Sequence, residues 1–528
     1  MRQQSMRDGH WVFRRPWLAA ALLLLPMAAV HAAHFLLPPA GEWPTGFLQY
    51  DQQRYLAMAR QAWEGGAWPL FALPTSADPA SPAQYVYPHI ALLGLAWGLL
   101  DADPGRLYLA FGLLSGLVFL RLAIALYGRV VARRDGAAAL GLLLFAWGGG
   151  LLTLAGGLDA LLEGRLDYGS LVTFDPAGGF WFLNLGRNLF YGVEAYYHAL
   201  ALGLLLALLA GRWRLGLLLL ALLAASGPFA GLQFLLIALA WQLAERLLRR
   251  PEAPPLWLLL GSLLLLAFFL AYHFLLLPRD PEHAALMAAW SLAWTLETAT
   301  QLLAYGPVAV LAMLWLARHG LGTRAARLLT VMALVSLGLA NHELLVDPRQ
   351  PLHFTRGYVW MPLFLLGAPL LVDWLARAVR PLALAVAALF LLDNAAWLGL
   401  QAWQNAGGFG AARTLTQDER GVLAALNGPA YAGHLLVAED PRLGYDAIVY
   451  TPLQAWYSQE HSTPGSRERL AEIERWRADG GEPAAWRGRP VVFLVADRGQ
   501  DPAAYPWITP ESRVERLPGF LLVARPPP

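Results

Sequence analysis

Eleven stretches of this sequence are apolar for long enough to cross, or nearly cross, the hydrocarbon of a bilayer, and they limit the possible folds more than any other feature. They fall at 17–37, 105–128, 137–157, 196–210, 214–226, 229–246, 256–277, 301–318, 328–345, 358–376 and 381–400. Backbone polar groups inside lipid must be paired within a helix or a closed barrel. Runs of this length predict helices, so the expected fold is mainly α: a polytopic membrane protein with about eleven transmembrane helices. Composition agrees, since 57% of the 528 residues are hydrophobic and only 14% are charged. The formal charge of +2 and the lack of a basic tail give no support to a nucleic-acid surface. Cysteine is absent, which excludes disulfides, thiolate metal sites and a cysteine nucleophile. Lysine is absent too, so every strong cation is an arginine, the side chain that grips phosphate or carboxylate with two parallel donors.

The run 88–100, "PHIALLGLAWGLL", has thirteen residues and is short for a span. If it does not cross, the arginine-rich connections "GRVVARRDG", "GRWR", "RLLRRPEAPP", "RHGLGTRAARL" and "ARAVR" all share the side of the N-terminus, as the positive-inside rule requires. It is therefore read as a re-entrant or interfacial element. The N-terminus is then cytoplasmic, and the outer side receives 38–104, 158–195, 278–300, 346–357 and everything after 400. "AVHAAHF" at the end of the first run has the small residues of a signal cleavage site, but the uninterrupted run reads as a retained helix. Beyond a linker at 401–410, residues 411–528 read as a small α/β domain on the outer side. "GHLLVAED", "PVVFLVAD" and "GFLLVARP" are its strands, and "SRERLAEIERWRADG" is a helix. Neither a P-loop nor a GxGxxG motif occurs in it.

The outer segments carry the chemistry. In "YDQQRYLAMARQAWEGG", Tyr50, Arg54, Ala57 and Gln61 recur at helical spacing, and Tyr55, Leu56, Ala59 and Trp63 form an apolar face, which predicts an amphipathic helix at the membrane surface. Asp51 stands at its start, as a helix cap or as a functional carboxylate. "PAQYVYPHI" adds Tyr85, Tyr87 and His89, as interfacial anchors or as site residues. Arg187, Glu194 and Tyr196 to His198 run into the start of a span and cannot all face lipid; Arg187 with Glu194 could form a structural ion pair. His342, Glu343, His353, Arg356 and Tyr358 gather at the outer ends of two spans, an arrangement suited to an anion or phosphate. No HExxH motif supports a metal.

One helix leading outward, a long first outer segment with an early acid and "DQQRYLAMAR", aromatic residues with proline in "YVYPH", and an outer C-terminal domain together resemble the GT-C superfamily of membrane glycosyltransferases. These include the protein-mannosyltransferase and lipid A aminoarabinose-transferase types. The motif content is confined mostly to residues 47–89. The resemblance implies transfer of a sugar from a polyprenyl-phosphate-linked donor to a lipid, glycan or protein acceptor at the outer face; the absence of cysteine and the arginine-rich inner loops are compatible with a bacterial inner membrane. It implies that Asp51 works at the reaction centre, with a second acid from the next outer segment: Asp159, Asp167 or Asp175. It further implies that a basic residue such as Arg356, with His353 or Arg187, holds the lipid phosphate. Tyr55, Tyr87, His89, Glu194 and Tyr358 complete the expected donor and substrate contacts. Where relatives carry two adjacent acids, this chain has Asp51 followed by Gln52, which bears against a bound divalent metal. The competing readings are a non-catalytic relative that binds lipid or glycan, and a transporter of lipid-linked material.

Overall fold

The structure, a computed structural model, describes residues 10–64, 68–76, 78, 81–165, 167–289, 293–406, 412–502, 505 and 507–525. Each of the eleven apolar runs carries helix. Among the described residues, eight helices are long and apolar enough to cross a membrane: Pro16–Leu36, Pro104–Val130, Gly192–Leu209, Pro228–Leu247, Leu256–Arg279, Thr298–His319, Trp360–Arg377 and Arg380–Asn405. The chain is an integral membrane protein. Two further runs form shorter helices, Trp213–Ser226 with 14 residues and Arg324–Ala340 with 17.

The run 137–157 departs from a single span. It forms two helices, Gly136–Trp147 and Leu152–Leu162, set 69° apart. The cause lies in "WGGGLL". A Cβ on Gly150 would stand 2.1 Å from the carbonyl oxygen of Leu303, and one on Gly149 would stand 2.7 Å from the Cβ of Asp393, so neighbouring chain passes where side chains would be. The backbone donors freed by the break are taken up: Gly149 N–H bonds Phe390 O at 2.6 Å and Leu151 N–H bonds Leu303 O at 2.9 Å. The Asp393 carboxylate then accepts from Leu152 N and Thr153 N at 3.2 and 2.8 Å, capping the second helix from a distant part of the chain.

The residues divide into two compact units, one of 1–33, 109–269 and 292–405, the other of 34–108, 270–291 and 406–528. This division does not follow the boundary expected at 400. Helix Arg380–Asn405 runs through the first half of the expected 401–410 linker, whose residues 407–410 lie outside the described residues. The C-terminal residues fold together with the first outer segment because strand Glu42–Phe47 pairs antiparallel with Arg413–Thr416. Thr45 Oγ1 donates to Arg413 O at 2.5 Å beside that ladder, and a Cβ on Gly105 would stand 1.7 Å from Thr45 O, so only glycine lets the start of helix Pro104–Val130 approach it.

The second unit also contains a five-stranded sheet in the order Gln454–Ala455, Leu435–Ala438, Val491–Ala496, Phe520–Arg525, Arg513–Leu517. The first three strands are parallel and the last two form an antiparallel hairpin. The expected strands and helix of this region are all present. Helices Gln417–Leu426 and Pro441–Tyr450 cover one face through Val422, Leu443 and Ala447. Helix Ser466–Asp479 covers the other through Ile473 and Trp476, together with Trp486 and Trp507. The alternation of strand residues between these two cores is what the period of two along a strand dictates.

Candidate functional site

The segment "FLQYDQQRYL" builds the second unit's most chemically loaded corner. Gln52, 4% exposed, turns its Oε1 back onto the N–H groups of Leu48 and Gln49, at 2.5 and 3.0 Å, and so closes the turn that opens helix Gln52–Glu64. The position beside Asp51 therefore serves the backbone. Asp51 itself is half-buried, and the hydrogen bond to its carboxylate comes from the C-terminal part of the chain: Gln459 Nε2 donates to Oδ1 at 3.3 Å. The same amide nitrogen donates to Tyr445 Oη at 3.4 Å, while Gln459 Oε1 accepts from His461 N at 2.8 Å. Tyr445 Oη donates to Tyr50 O at 2.8 Å and accepts from Arg54 N at 3.3 Å. Gln459 and Tyr445 thus hold both ends of the Tyr50 to Arg54 turn.

Helix Gln52–Glu64 was expected to be amphipathic, and the structure shows polar as well as apolar residues of it covered by protein. Gln52, Gln53 and Arg60 are buried, and on another face Ala59 packs so close to Gly94 of helix Pro88–Leu100 that a Cβ there would reach 2.2 Å from Ala59 O. Arg60 donates to Val449 O and to Asn427 Oδ1 at 2.9 and 3.0 Å. Gln53 meets Asp446, which is 0% exposed and bonded to Arg413 Nε at 2.6 Å. Burial pushes the Asp446 carboxyl up to about 6 even though Arg413 pulls it the other way. A raised acid favours the folded state most when protonated, so its contribution is fully present below the ordinary carboxyl value and is lost as pH rises through about 6. Asp446→Asn should therefore remove a decline in stability, on the order of 3 kcal/mol, between about pH 4 and 6. Thermal unfolding of both proteins across that range measures it, and parallel curves would contradict it.

Arg54 lies one helical turn after Asp51. Its guanidinium sits 6.0 Å from the centre of the Tyr85 ring, and among the described residues no carboxylate forms an ion pair with it. Tyr55 meets Tyr87 edge to face at 5.9 Å, and Tyr87 meets His89 at 6.1 Å. Tyr85 Oη shares a 2.8 Å hydrogen bond with His283 Nδ1. Burial raises the Tyr85 and Tyr87 phenols, so both remain O–H donors at neutral pH. Burial, with Arg54 second, lowers the His283 imidazole and keeps it neutral. A short ladder pairing Leu70–Phe71 with Tyr85–Val86 positions this group, fastened by Tyr272 Oη donating to Gln84 O at 2.7 Å. Tyr55, Tyr87 and His89 thus stand in one chain of ring contacts, and Asp51 lies one turn before Tyr55, its carbonyl accepting from Tyr55 N at 3.3 Å. Arg54 could have been found three positions after Asp51, whereas Gln459 and Tyr445, some 400 residues away, give no signal in sequence.

In the first unit, Arg356, His353, Glu194 and Tyr358 come together. Arg356 forms an ion pair with Glu194, and its Nη2 lies 2.8 Å from His353 Nδ1. His353 stacks on Phe229 at 4.1 Å and on Trp294 at 5.4 Å; burial among these rings pushes its imidazole down to about 3, so it is a neutral acceptor for the guanidinium. His198 stacks on Tyr358 at 4.4 Å and bridges Glu194 O and Arg356 O, each at 2.8 Å. His342 does not join this polar group: its ring accepts from Arg349 N at 2.8 Å and shapes its own loop.

Arg187 and Glu194 do not form the ion pair the sequence allowed. Arg187, 0% exposed, bonds Asp175 at 2.5 and 3.3 Å, Asn394 Oδ1 at 2.7 Å and the carbonyls of Trp181 and Asp393 at 3.3 Å. Its donors are engaged, and Asp175 is engaged with it. Asp167 is exposed and accepts from Ser170 N and Oγ, and Asp159 is half-buried on helix Leu152–Leu162. Among the described residues no three or more histidine, aspartate or glutamate side chains are grouped to hold a metal ion. Asp51 has an amide N–H donor as its hydrogen-bond partner, and Gln52 is turned to the backbone, a donor set that does not suit a divalent cation.

No family model and no curated protein matches the sequence. Solved structures match it over nearly its whole length. ArnT from Cupriavidus metallidurans in the apo state is 15% identical with a TM-score of 0.44, over 96% of this chain and 98% of that one. The same enzyme bound to undecaprenyl phosphate is 12% identical with a TM-score of 0.46, over the same shares. The Archaeoglobus fulgidus oligosaccharyltransferase tethered to an acceptor peptide is 12% identical with a TM-score of 0.46, over 85% of this chain and 65% of that one. These proteins are GT-C glycosyltransferases.

Proposed function

We propose that this chain is a membrane glycosyltransferase that moves a sugar from a polyprenyl-phosphate-linked donor to an acceptor at the outer face of the membrane. The observation that carries the reading is the placement of Asp51 and Arg54 at one helix start: a half-buried carboxylate oriented by Gln459, and one turn away a guanidinium beside the Tyr85 ring with no carboxylate ion-paired to it among the described residues. The resemblance of residues 47–89 to the GT-C first loop supports the assignment of Asp51. An acceptor hydroxyl would attack the anomeric carbon as the bond from that carbon to the phosphate oxygen breaks. Asp51 would take the acceptor proton, and the bonding electrons would leave with the lipid phosphate, which gains one negative charge. Arg54 and the Tyr85 and Tyr87 hydroxyls would meet that charge.

We assign the phosphate role expected of Arg356 to Arg54, because Glu194 already neutralises Arg356 and Asp175 already neutralises Arg187. An apolar lipid tail stays in the bilayer, so the scissile bond belongs where loops meet helix ends, and the arginine-rich connections argue that this side is the outer one. A transporter reading has less support: the buried ionic groups within the spans, such as Glu245 with Arg327 at 2.5 Å, are closed by their own partners.

The test is transfer of labelled sugar from a polyprenyl-phosphate donor by purified protein. Arg54→Gln should raise the donor KM by about tenfold to a hundredfold, with Arg54→Lys in between, as loss of a charge-assisted phosphate contact requires. Unchanged donor KM in Arg54→Gln would return the phosphate to another cation. Tight donor binding with no transfer under any condition would favour the non-catalytic reading.

A further inference from the structure

The carboxyl ends of the two central parallel strands, Leu435–Ala438 and Val491–Ala496, open into a cleft of about 310 Å³. The chain leaves the first strand for helix Pro441–Tyr450 on one face and reaches the second from helix Ser466–Asp479 on the other, so the strand order reverses between them. In open α/β sheets such a crevice is where ligands bind. Glu439, just past the first strand, occupies it. Its Oε1 accepts from Arg477 at 2.8 Å and from Arg498 at 2.5 Å, and its Oε2 accepts from Ala496 N at 2.9 Å. The same cleft is lined by Glu474, Trp476, Tyr505 and Trp507.

A count of donors against acceptors shows what is missing. Both oxygens of Glu439 are engaged, while Arg477 and Arg498, 43% and 54% exposed, keep further N–H groups. Trp476 Nε1 and Tyr505 Oη are buried with no partner among the described residues, although Trp476 is 0% exposed. Buried donors of this kind ordinarily have an acceptor. Glu474 supplies the cleft's remaining carboxylate. The accessible part of the lining thus offers two guanidiniums with N–H groups that Glu439 does not use, beside the ring of Tyr505. Glu439 stands where a ligand's anionic group would.

We propose that this cleft binds an acidic sugar, whose carboxylate or phosphate displaces the Glu439 side chain from between Arg477 and Arg498. The site does not depend on the glycosyltransferase reading, since none of its residues takes part in that chemistry.

Isothermal titration of the full chain in detergent with galacturonate, glucose 1-phosphate, glucose and inorganic phosphate tests it. At least one of the two charged sugars should bind, at least tenfold more tightly than glucose or inorganic phosphate, and the preference between the two identifies the anionic group. Glu439→Gln, which removes the internal competitor's charge, should tighten binding about tenfold. Arg498→Gln, at a 54% exposed position, should weaken it at least tenfold, and the Arg477→Gln/Arg498→Gln double variant more. Equal binding of glucose, equal binding of inorganic phosphate, no binding of either charged sugar, or weaker binding by a stably folded Glu439→Gln would each overturn the proposal and leave the three side chains as a structural latch.

Discussion

Asp51→Asn lowers sugar transfer by about 10²- to 10⁴-fold, the range over which a positioned general base contributes, while leaving thermal unfolding where it was. Both halves of that expectation come from the same geometry. The Asp51 carboxylate accepts its hydrogen bond from Gln459 Nε2, and an asparagine carbonyl oxygen in the same place accepts it equally. The turn is closed by Gln52, which the substitution does not touch. What disappears is the capacity to take a proton. Donor binding should survive, because Arg54 and the tyrosine hydroxyls remain. Transfer assays at saturating donor, with a donor-binding measurement on the same preparations, separate the two quantities. Equal turnover in both proteins would remove Asp51 from the reaction centre, and a large fall in melting temperature would make its role one of structure.

Arg187→Leu destabilises the first unit by about 3–5 kcal/mol, the usual consequence of leaving one member of a buried ion pair alone. Asp175 would be stranded at 4% exposure, Asn394 Oδ1 would lose its 2.7 Å donor, and the carbonyls of Trp181 and Asp393 would lose theirs. The double variant Arg187→Leu/Asp175→Leu should recover part of that stability, since two apolar side chains carry no uncompensated charge. Thermal unfolding in detergent distinguishes the three proteins. A single variant that unfolds like the wild type but loses donor affinity would instead give Arg187 the phosphate-binding role its position in the sequence suggested.

How far the sequence could be read depended on whether the partners were near one another in the chain. Every long apolar run holds helix, because a run of that length leaves the backbone little alternative in lipid. The strands 435–438, 491–496 and 520–525 were equally plain, being short apolar runs between turn residues. The break at Gly148 to Gly150 was visible as three glycines, but its meaning required Leu303 and Asp393, which no local pattern points to. Strand Glu42–Phe47 was hidden, since "EWPTGF" contains a proline and a glycine and pairs through an irregular register. Arginine pairing was the least legible. Glu194 sits seven residues from Arg187 and on chain proximity alone was its natural partner, yet it pairs with Arg356, while Asp175 takes Arg187. Sequence records which charges exist, and only packing decides which of them are already neutralised.

The ladder between residues 42–47 and 413–416 also sets a schedule for the chain's synthesis. Thr414 meets Glu42 across a separation of 372 residues, and Gln459 reaches Asp51 across 408. At a ribosomal rate of about 5–20 residues per second, the turn bearing Asp51 waits roughly 20 to 80 s for the residues that hold it. Until then the helix that follows Asp51 has neither its strand nor its clamp. A nascent chain can therefore insert every one of its membrane helices before the turn bearing Asp51 is held in place.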